Sequence, residues 1–174
     1  IQNKLINVVV GCAECHTLNP ESHKDTVEHN GYNMHVVVTP RDCSTCHAEE
    51  AMQYSKNTMA HAYKNLADNA LYQQLQESIL GEMIFTGDGD NKIVTKPPNK
   101  STKAEACYYC HCTKLMVKGY ETRDTEEAGE LEFPIIEGWP NQGVGRVNPD
   151  GSLGSCAACH TRHTFSIEMA RKPY

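Results

Sequence analysis

Eight of the nine cysteines fall in four copies of C-x-x-C-H, at Cys12-Ala13-Glu14-Cys15-His16, Cys43-Ser44-Thr45-Cys46-His47, Cys107-Tyr108-Tyr109-Cys110-His111 and Cys156-Ala157-Ala158-Cys159-His160. Two thiols spaced this way and followed at once by an imidazole form the pattern that attaches c-type haem. The sulfurs form thioethers with the porphyrin vinyl groups, and the histidine is placed under the iron as its proximal ligand. Zinc sites and disulfide frameworks also use C-x-x-C pairs, but neither needs a histidine directly after every pair. The motifs therefore predict four haem c groups, with His16, His47, His111 and His160 proximal. The ninth cysteine, Cys112, adjoins His111 and has only Lys114 as a basic neighbour in sequence. It reads as an inert packed thiol, with an intermolecular disulfide or a thiolate ligand as alternatives.

Four irons present eight axial positions. Five histidines lie outside the motifs, His23, His29, His35, His61 and His163, enough for four bis-His haems with one left over. His35 leads into Val36-Val37-Val38 and could reach a neighbouring haem from an extended segment. His61 is expected on a helix, where a rigid backbone can fix an imidazole over an iron. His163 follows His160 by three residues, near one helical face but at a different depth, and is expected to serve a different haem. His23 and His29 sit in a polar interval that does not distinguish them. Methionine can also ligate haem iron, but with this histidine supply the six methionines read mainly as packing.

The elements that position these groups are expected to be mainly α, with much irregular coil. Residues 48–66 favour helix, with Glu49 and Glu50 at the positive N-terminal end and no Gly or Pro inside. A second helix is expected over 68–83, where Leu71, Leu75, Ile79 and Met83 recur every four residues as one apolar face for the core. Gly87, Asp88, Gly89, Asp90, Asn91, Pro97 and Pro98 mark 86–103 as a loop; Asp88 and Asp90 lack the spacing and closing Glu of a calcium loop. Asn99-Lys100-Ser101 has the form of a glycosylation sequon and reads as ordinary loop. Pro and Gly break up 133–154, where Trp139 is expected to pack on a haem or the core. The motifs recur at unequal intervals, so no strict repeat is present.

The 174 residues suggest one domain, yet only 39% are hydrophobic, with three Phe and one Trp, a thin supply for a core. Four porphyrins would fill that deficit, giving a single tetrahaem domain over 1–174 with the polypeptide wrapped around a haem stack. Covalent haem attachment takes place outside the cytoplasm, so a periplasmic, extracellular or equivalent lumenal location is expected. No signal-peptide pattern stands at Ile1, which points to a mature form, and the apolar run over 5–10 is too short to insert in a membrane. The formal charge of -6 argues against nucleic acid as a partner. Glu121, Asp124, Glu126, Glu127, Glu130 and Glu132 cluster with only Arg123 opposing them; they read as a solvated loop or helix face, or as a docking patch for a basic redox partner.

The stretch Glu137-Gly138-Trp139-Pro140-Asn141-Gln142-Gly143 and onward through Cys156-Ala157-Ala158-Cys159-His160-Thr161-Arg162-His163 to Ser166 resembles the region around the fourth haem of the octahaem hydroxylamine oxidoreductase family. Val38-Thr39-Pro40-Arg41-Asp42-Cys43 and the segment bearing His61 fit the same pattern. The resemblance covers most of this chain but only the N-terminal, four-haem half of that family's polypeptide, and Ala170-Arg171-Lys172-Pro173 stands just before where a fifth motif would come. In that family the fourth haem has an open distal side and performs redox chemistry on nitrogen compounds. The resemblance would place such chemistry at the haem held by Cys156, Cys159 and His160. Nothing in this sequence matches the family's distal Asp-His pair or its cross-linking Tyr, and a catalyst must position and protonate its substrate as well as supply an iron.

Two functions follow. The first is electron transfer through four haems, mostly or all bis-His, with other cytochromes or further copies of the chain as partners in an oligomer or filament; on this reading the chain alone is not an enzyme. The second is the N-terminal half of a split octahaem oxidoreductase acting on hydroxylamine, hydrazine or nitrite, with the fourth haem catalytic.

Overall fold

The computed structural model describes residues 10–86, 92–111, 113–126, 129–139 and 143–163. Cys112, Asp88, Asp90, residues 5–9 of the apolar run and the 170–173 stretch lie outside the described residues. The elements run α1 (Ala13–His16), β1 (Thr26–His29), β2 (Tyr32–His35), α2 (Pro40–Cys43), α3 (Ala48–Ser55), α4 (Ala62–Ala67), α5 (Ala70–Leu80), β3 (Glu82–Thr86), β4 (Lys92–Lys96), α6 (Lys100–Glu105), α7 (Cys107–His111), β5 (Met116–Thr125) and β6 (Gly129–Glu137). Short 3-10 turns at Pro20–Ser22, Thr58–His61 and Cys156–Ala158 join them.

The expectation of a mainly α chain is wrong. Helix accounts for 37% of the structure and strand for 27%, and the strands form three separate antiparallel pairs, β1-β2, β3-β4 and β5-β6. Local turn chemistry explains the difference. Asn30 and Gly31 both take positive φ, 52° and 81°, the backbone a two-residue hairpin turn requires, and Asn-Gly meets it with little steric cost. His29 then pairs with Tyr32, and the register continues to Thr26 opposite His35. In β5 and β6, Val117 lies opposite Ile136, Glu121 opposite Phe133 and Arg123 opposite Leu131. Glu121, Asp124, Glu130 and Glu132 of the acidic cluster are therefore carried by a β-ribbon, with Glu126 in the turn after β5 and Glu127 outside the described residues.

The helical segments are also shorter than expected. The stretch 48–66 breaks after Ser55, where Asn57 accepts the Met59 N–H through its side chain and caps a 3-10 turn that ends at His61. The helix expected over 68–83 is α5 alone, capped by Asn69 accepting the Tyr72 N–H at 3.1 Å; Met83 belongs to β3. Its apolar face is not core: Leu71, Leu75 and Ile79 are exposed, while Gln76 is buried. The expected loop over 86–103 contains β4 and the start of α6, and Asn99 is the N-cap of α6, accepting the Thr102 N–H at 2.8 Å.

Among the described residues the buried apolar side chains are Val37, Ala60, Leu115, Val147 and the prolines Pro40 and Pro98, against nine buried polar or charged ones. That inverted interior is held by hydrogen bonds. Arg146, 3% exposed, donates from Nε to Asn148 Oδ1 at 2.6 Å and from a terminal nitrogen to Val38 O at 3.1 Å. Val147 N–H donates to Thr113 O and Leu115 N–H to Val147 O, joining the chain just after the third motif to the chain just before the fourth. The Tyr54 hydroxyl donates to Val144 O and accepts the Ser155 N–H at 3.1 Å. Gly154 makes room for that ring, with φ +86° and no Cβ to strike it. Trp139 is partly exposed among the protein's own side chains and lies under the Arg146 guanidinium, 5.6 Å from the ring centroid.

Candidate functional site

Each motif folds as a single helical turn, which brings its two cysteines and its histidine, at positions i, i+3 and i+4, toward one face. Cys15 N–H donates to Cys12 O at 3.2 Å and His16 N–H to the same oxygen at 2.9 Å; the pattern repeats from Cys46 and His47 onto Cys43 O, and from Cys159 and His160 onto Cys156 O. The third motif is α7. The described cysteines Cys12, Cys15, Cys43, Cys46, Cys107, Cys156 and Cys159 are free thiols. No cysteine set among the described residues is gathered closely enough to wrap a metal ion, so the zinc alternative finds no support in the geometry.

Three motifs come together and one stands apart. The thiols of Cys43 and Cys156 hydrogen-bond to one another, a contact that lowers the Cys156 pKa to about 7 and raises that of Cys43. Burial pushes the Cys15 thiol up against the opposing charge of Arg162, with Cys46 also close enough to act on it. The His16 ring stacks at 6.4 Å on that of His163, which brings the residues after the fourth motif to the first. The third motif packs elsewhere, against α4 and α5, where Tyr108 lies 5.3 Å from Tyr63 and 6.5 Å from Tyr72 between ring centroids.

Two proximal histidines show the outer bond that such ligands need. His16 Nδ1 donates to His35 O at 2.7 Å, and His111 Nδ1 to Ala62 O at 3.3 Å. A backbone carbonyl on Nδ1 fixes the tautomer and leaves Nε2 for a metal. With the thiol pairs free and the interior short of apolar side chains, these residues fit covalently bound haem. His47 is exposed, its Nδ1 3.9 Å from Glu50.

The five further histidines are placed unequally. His23 and His35 are buried and stacked, ring centroids 3.6 Å apart and 6° from parallel. Asp42 faces both, with Oδ1 3.1 Å from His23 Nε2 and Oδ2 3.5 Å from His35 Nε2, and Asp25 Oδ1 lies 3.4 Å from His23 Nδ1. Burial disfavours a charged His23, but Asp25 and Asp42 outweigh it and push its pKa up to about 9. Burial likewise opposes the Asp42 carboxylate, yet His23, His35, the Thr39 N–H and Asn19 hold it well below the usual carboxylate range. Asp25 is lowered despite burial by His23 and by the Val37 N–H, which donates to it at 2.6 Å. His23 thus has a carboxylate at each ring nitrogen. His35 Nε2 faces the Asp42 carboxylate, while its Nδ1 is buried without a partner, so His35 keeps a lone pair at Nδ1 to offer.

His61 ends its 3-10 turn with Nε2 2.7 Å from Ser55 O, and it lines an open groove of about 650 Å³ with Lys64, Asn65, Asp68 and Leu71. His29 is exposed at the end of β1 and accepts from Asn30. Sequence reasoning missed Asp25 and Asp42. Thr39-Pro40-Arg41-Asp42 carries a readable signal, a capping box with Pro at the first helical position, and the structure forms that box. The signal announces a helix start, and the second task of Asp42, facing two imidazoles, arises only from the hairpin that brings them.

Residues 42–131, which contain the second and third motifs, match the family described as cytochrome c554 and c-prime. A solved structure entitled "Hypothetical multiheme protein" is 46% identical, superposes with a TM-score of 0.77, and is matched over 97% of this chain and 31% of its own length. The chain therefore spans about a third of that polypeptide. No curated protein matches it.

Proposed function

Because the chain belongs to the cytochrome c554 and c-prime family, we propose that it carries electrons through four covalently bound c-type haems, mostly or all bis-His ligated, outside the cytoplasm. The observation that carries this reading is the meeting of the first, second and fourth motifs in one cluster, thiol to thiol at Cys43 and Cys156 and ring to ring at His16 and His163. Haem supplies an iron that cycles between two oxidation states. The chain's own residues do the rest: the cysteine pairs anchor, the carbonyls of His35 and Ala62 orient His16 and His111, and the carboxylates of Asp25 and Asp42 place negative charge within the interior, which lowers a nearby reduction potential. No helix among the described residues is long and apolar enough to cross a membrane. Other cytochromes, or further copies in an oligomer, are the partners this role calls for, and the acidic β5-β6 ribbon suits a basic one.

A second reading is the four-haem half of a split octahaem oxidoreductase for hydroxylamine, hydrazine or nitrite. The likeness of residues 137–166 to that family favours it, as does a similar chain that is about three times longer.

Electron paramagnetic resonance with cyanide titration separates the two. Electron transfer predicts four low-spin irons indifferent to cyanide; one high-spin iron that binds it would sink simple conduction and support the oxidoreductase reading.

A further inference from the structure

Two pairs of near-parallel histidine rings differ in a way that separates contact from shared ligation. His23 and His35 touch, with ring centroids 3.6 Å apart. His16 and His163 are also close to parallel, 19° between planes, yet their centroids stand 6.4 Å apart. Two imidazoles bound to opposite sides of one metal ion, each by a bond of about 2 Å, have ring centres roughly 6 Å apart. The separation of His16 and His163 is that of the two axial rings of one haem.

We propose that His163 is the distal ligand of the haem attached at Cys12 and Cys15, opposite His16. His16 donates from Nδ1 to the His35 carbonyl at 2.7 Å, so Nε2, on the other side of the ring, is the nitrogen left for iron. The His35 ring also lies near His16, at 5.9 Å and 41°. It carries His23 on one face, however, and turns Nε2 to Asp42, while its own carbonyl occupies the Nδ1 edge of His16 rather than the Nε2 edge. Arg162, the residue before His163, acts by its charge on the thiols of Cys15, Cys43 and Cys156, which sets the segment after the fourth motif beside the first independently of the ring pair. His163 cannot serve the haem of its own motif, because the three residues from His160 reach at most about 10 Å, too short to pass round a porphyrin to the face opposite His160. The first haem is thus closed by the segment that carries the proximal ligand of the fourth, and any iron open to a small ligand is one of the other three.

The pairing rests on the four-haem electron-transfer reading, but its test identifies one ligand rather than counting closed irons, so its failure leaves that reading standing. The haem-loaded full chain is compared with His163→Ala and His163→Met by electron paramagnetic resonance, absorbance and redox titration. His163→Ala is expected to lose one low-spin signal, of the rhombic kind that near-parallel axial rings give, and to gain one high-spin iron that added imidazole returns to low spin. His163→Met is expected to keep that iron low-spin and to raise one haem potential, as methionine ligation does. In a three-haem chain carrying Cys12→Ala and Cys15→Ala, His163→Ala is expected to create no new high-spin iron, which ties the lost ligand to the first haem. An unchanged spectrum in His163→Ala, a high-spin iron that imidazole does not close, potentials unmoved in His163→Met, or a new high-spin iron in the three-haem chain would each overturn the proposal. A native protein with one high-spin iron that gains a second in His163→Ala would count against simple conduction and support the His163 ligand.

Discussion

At the scale of single residues, His23 and His35 share a pocket and differ in what their nitrogens face. A carboxylate at each end holds His23 toward the imidazolium form, which has no lone pair for iron, whereas His35 has a carboxylate at Nε2 alone and an unpartnered Nδ1. His35→Ala is therefore expected to convert one low-spin haem to a cyanide-binding state. His23→Ala should leave the spin states alone and destabilise the fold by about 3 kcal/mol, since it strips a buried charge network of one partner; the two absorbance spectra and melts decide. The pH dependence follows from the same pocket. A pKa raised to about 9 in the folded chain, against about 6.5 unfolded, means the His23 contribution is complete below pH 6.5 and is lost as pH rises through 9. Asp42, held low, contributes above the usual carboxylate range and loses its contribution only in acid. Melts of His23→Gln should show a flattened alkaline limb and a weakened acid limb, because His23 is the first of the interactions that hold Asp25 and Asp42 low. The histidines could be named from sequence because cofactor demand singled them out. Their carboxylate partners could not, because Asp25 and Asp42 acquire that role only when β1, β2 and α2 fold together.

At the scale of elements, the motifs were legible because attachment depends on three residues within one helical turn, and such local geometry survives any tertiary setting. The strands were less legible because the reading followed helical periodicity. Asn30-Gly31 was a readable hairpin signal, and the apolar pairs Ile84-Phe85 and Ile93-Val94 separated by a Gly-Asp-Gly-Asp sequence were another. The apolar period of α5 correctly marked a helix, but which side faces inward is a tertiary matter that periodicity alone does not settle. The link from α3 to the fourth motif is the element-scale feature most open to test. Tyr54 ties α3 to Val144 and Ser155, and Gly154 gives way to its ring. Tyr54→Phe is expected to cost about 1–2 kcal/mol by orphaning buried partners. Gly154→Ala should cost at least as much, because a Cβ there meets both a positive φ and the tyrosine ring. Thermal melts followed at the Soret band check both, and unchanged midpoints would show that the fourth motif is held by other contacts.

At the scale of the whole molecule, the handful of buried apolar side chains among the described residues is too small to offset the conformational entropy of their chain, for which burial has to supply of the order of 100 kcal/mol or more. The three strand pairs do not compensate, since a two-stranded hairpin is marginal in water without a layer to pack on. The cofactors must then supply the missing apolar layer, as metals do in small domains whose folding is coupled to binding. A chain with all eight motif cysteines replaced by alanine is accordingly expected to lose cooperative unfolding, near-ultraviolet dichroism and slow amide exchange together. Removing a single motif should have a graded effect. Loss of the third, which packs on α4 and α5 through Tyr63, Tyr72 and Tyr108, should loosen those helices while leaving the cluster of the first, second and fourth motifs protected from exchange. A cooperative melt in the chain without haem would show that the polar network around Arg146 and Asp42 is sufficient to fold it, and would make haem a passenger in the fold rather than its core.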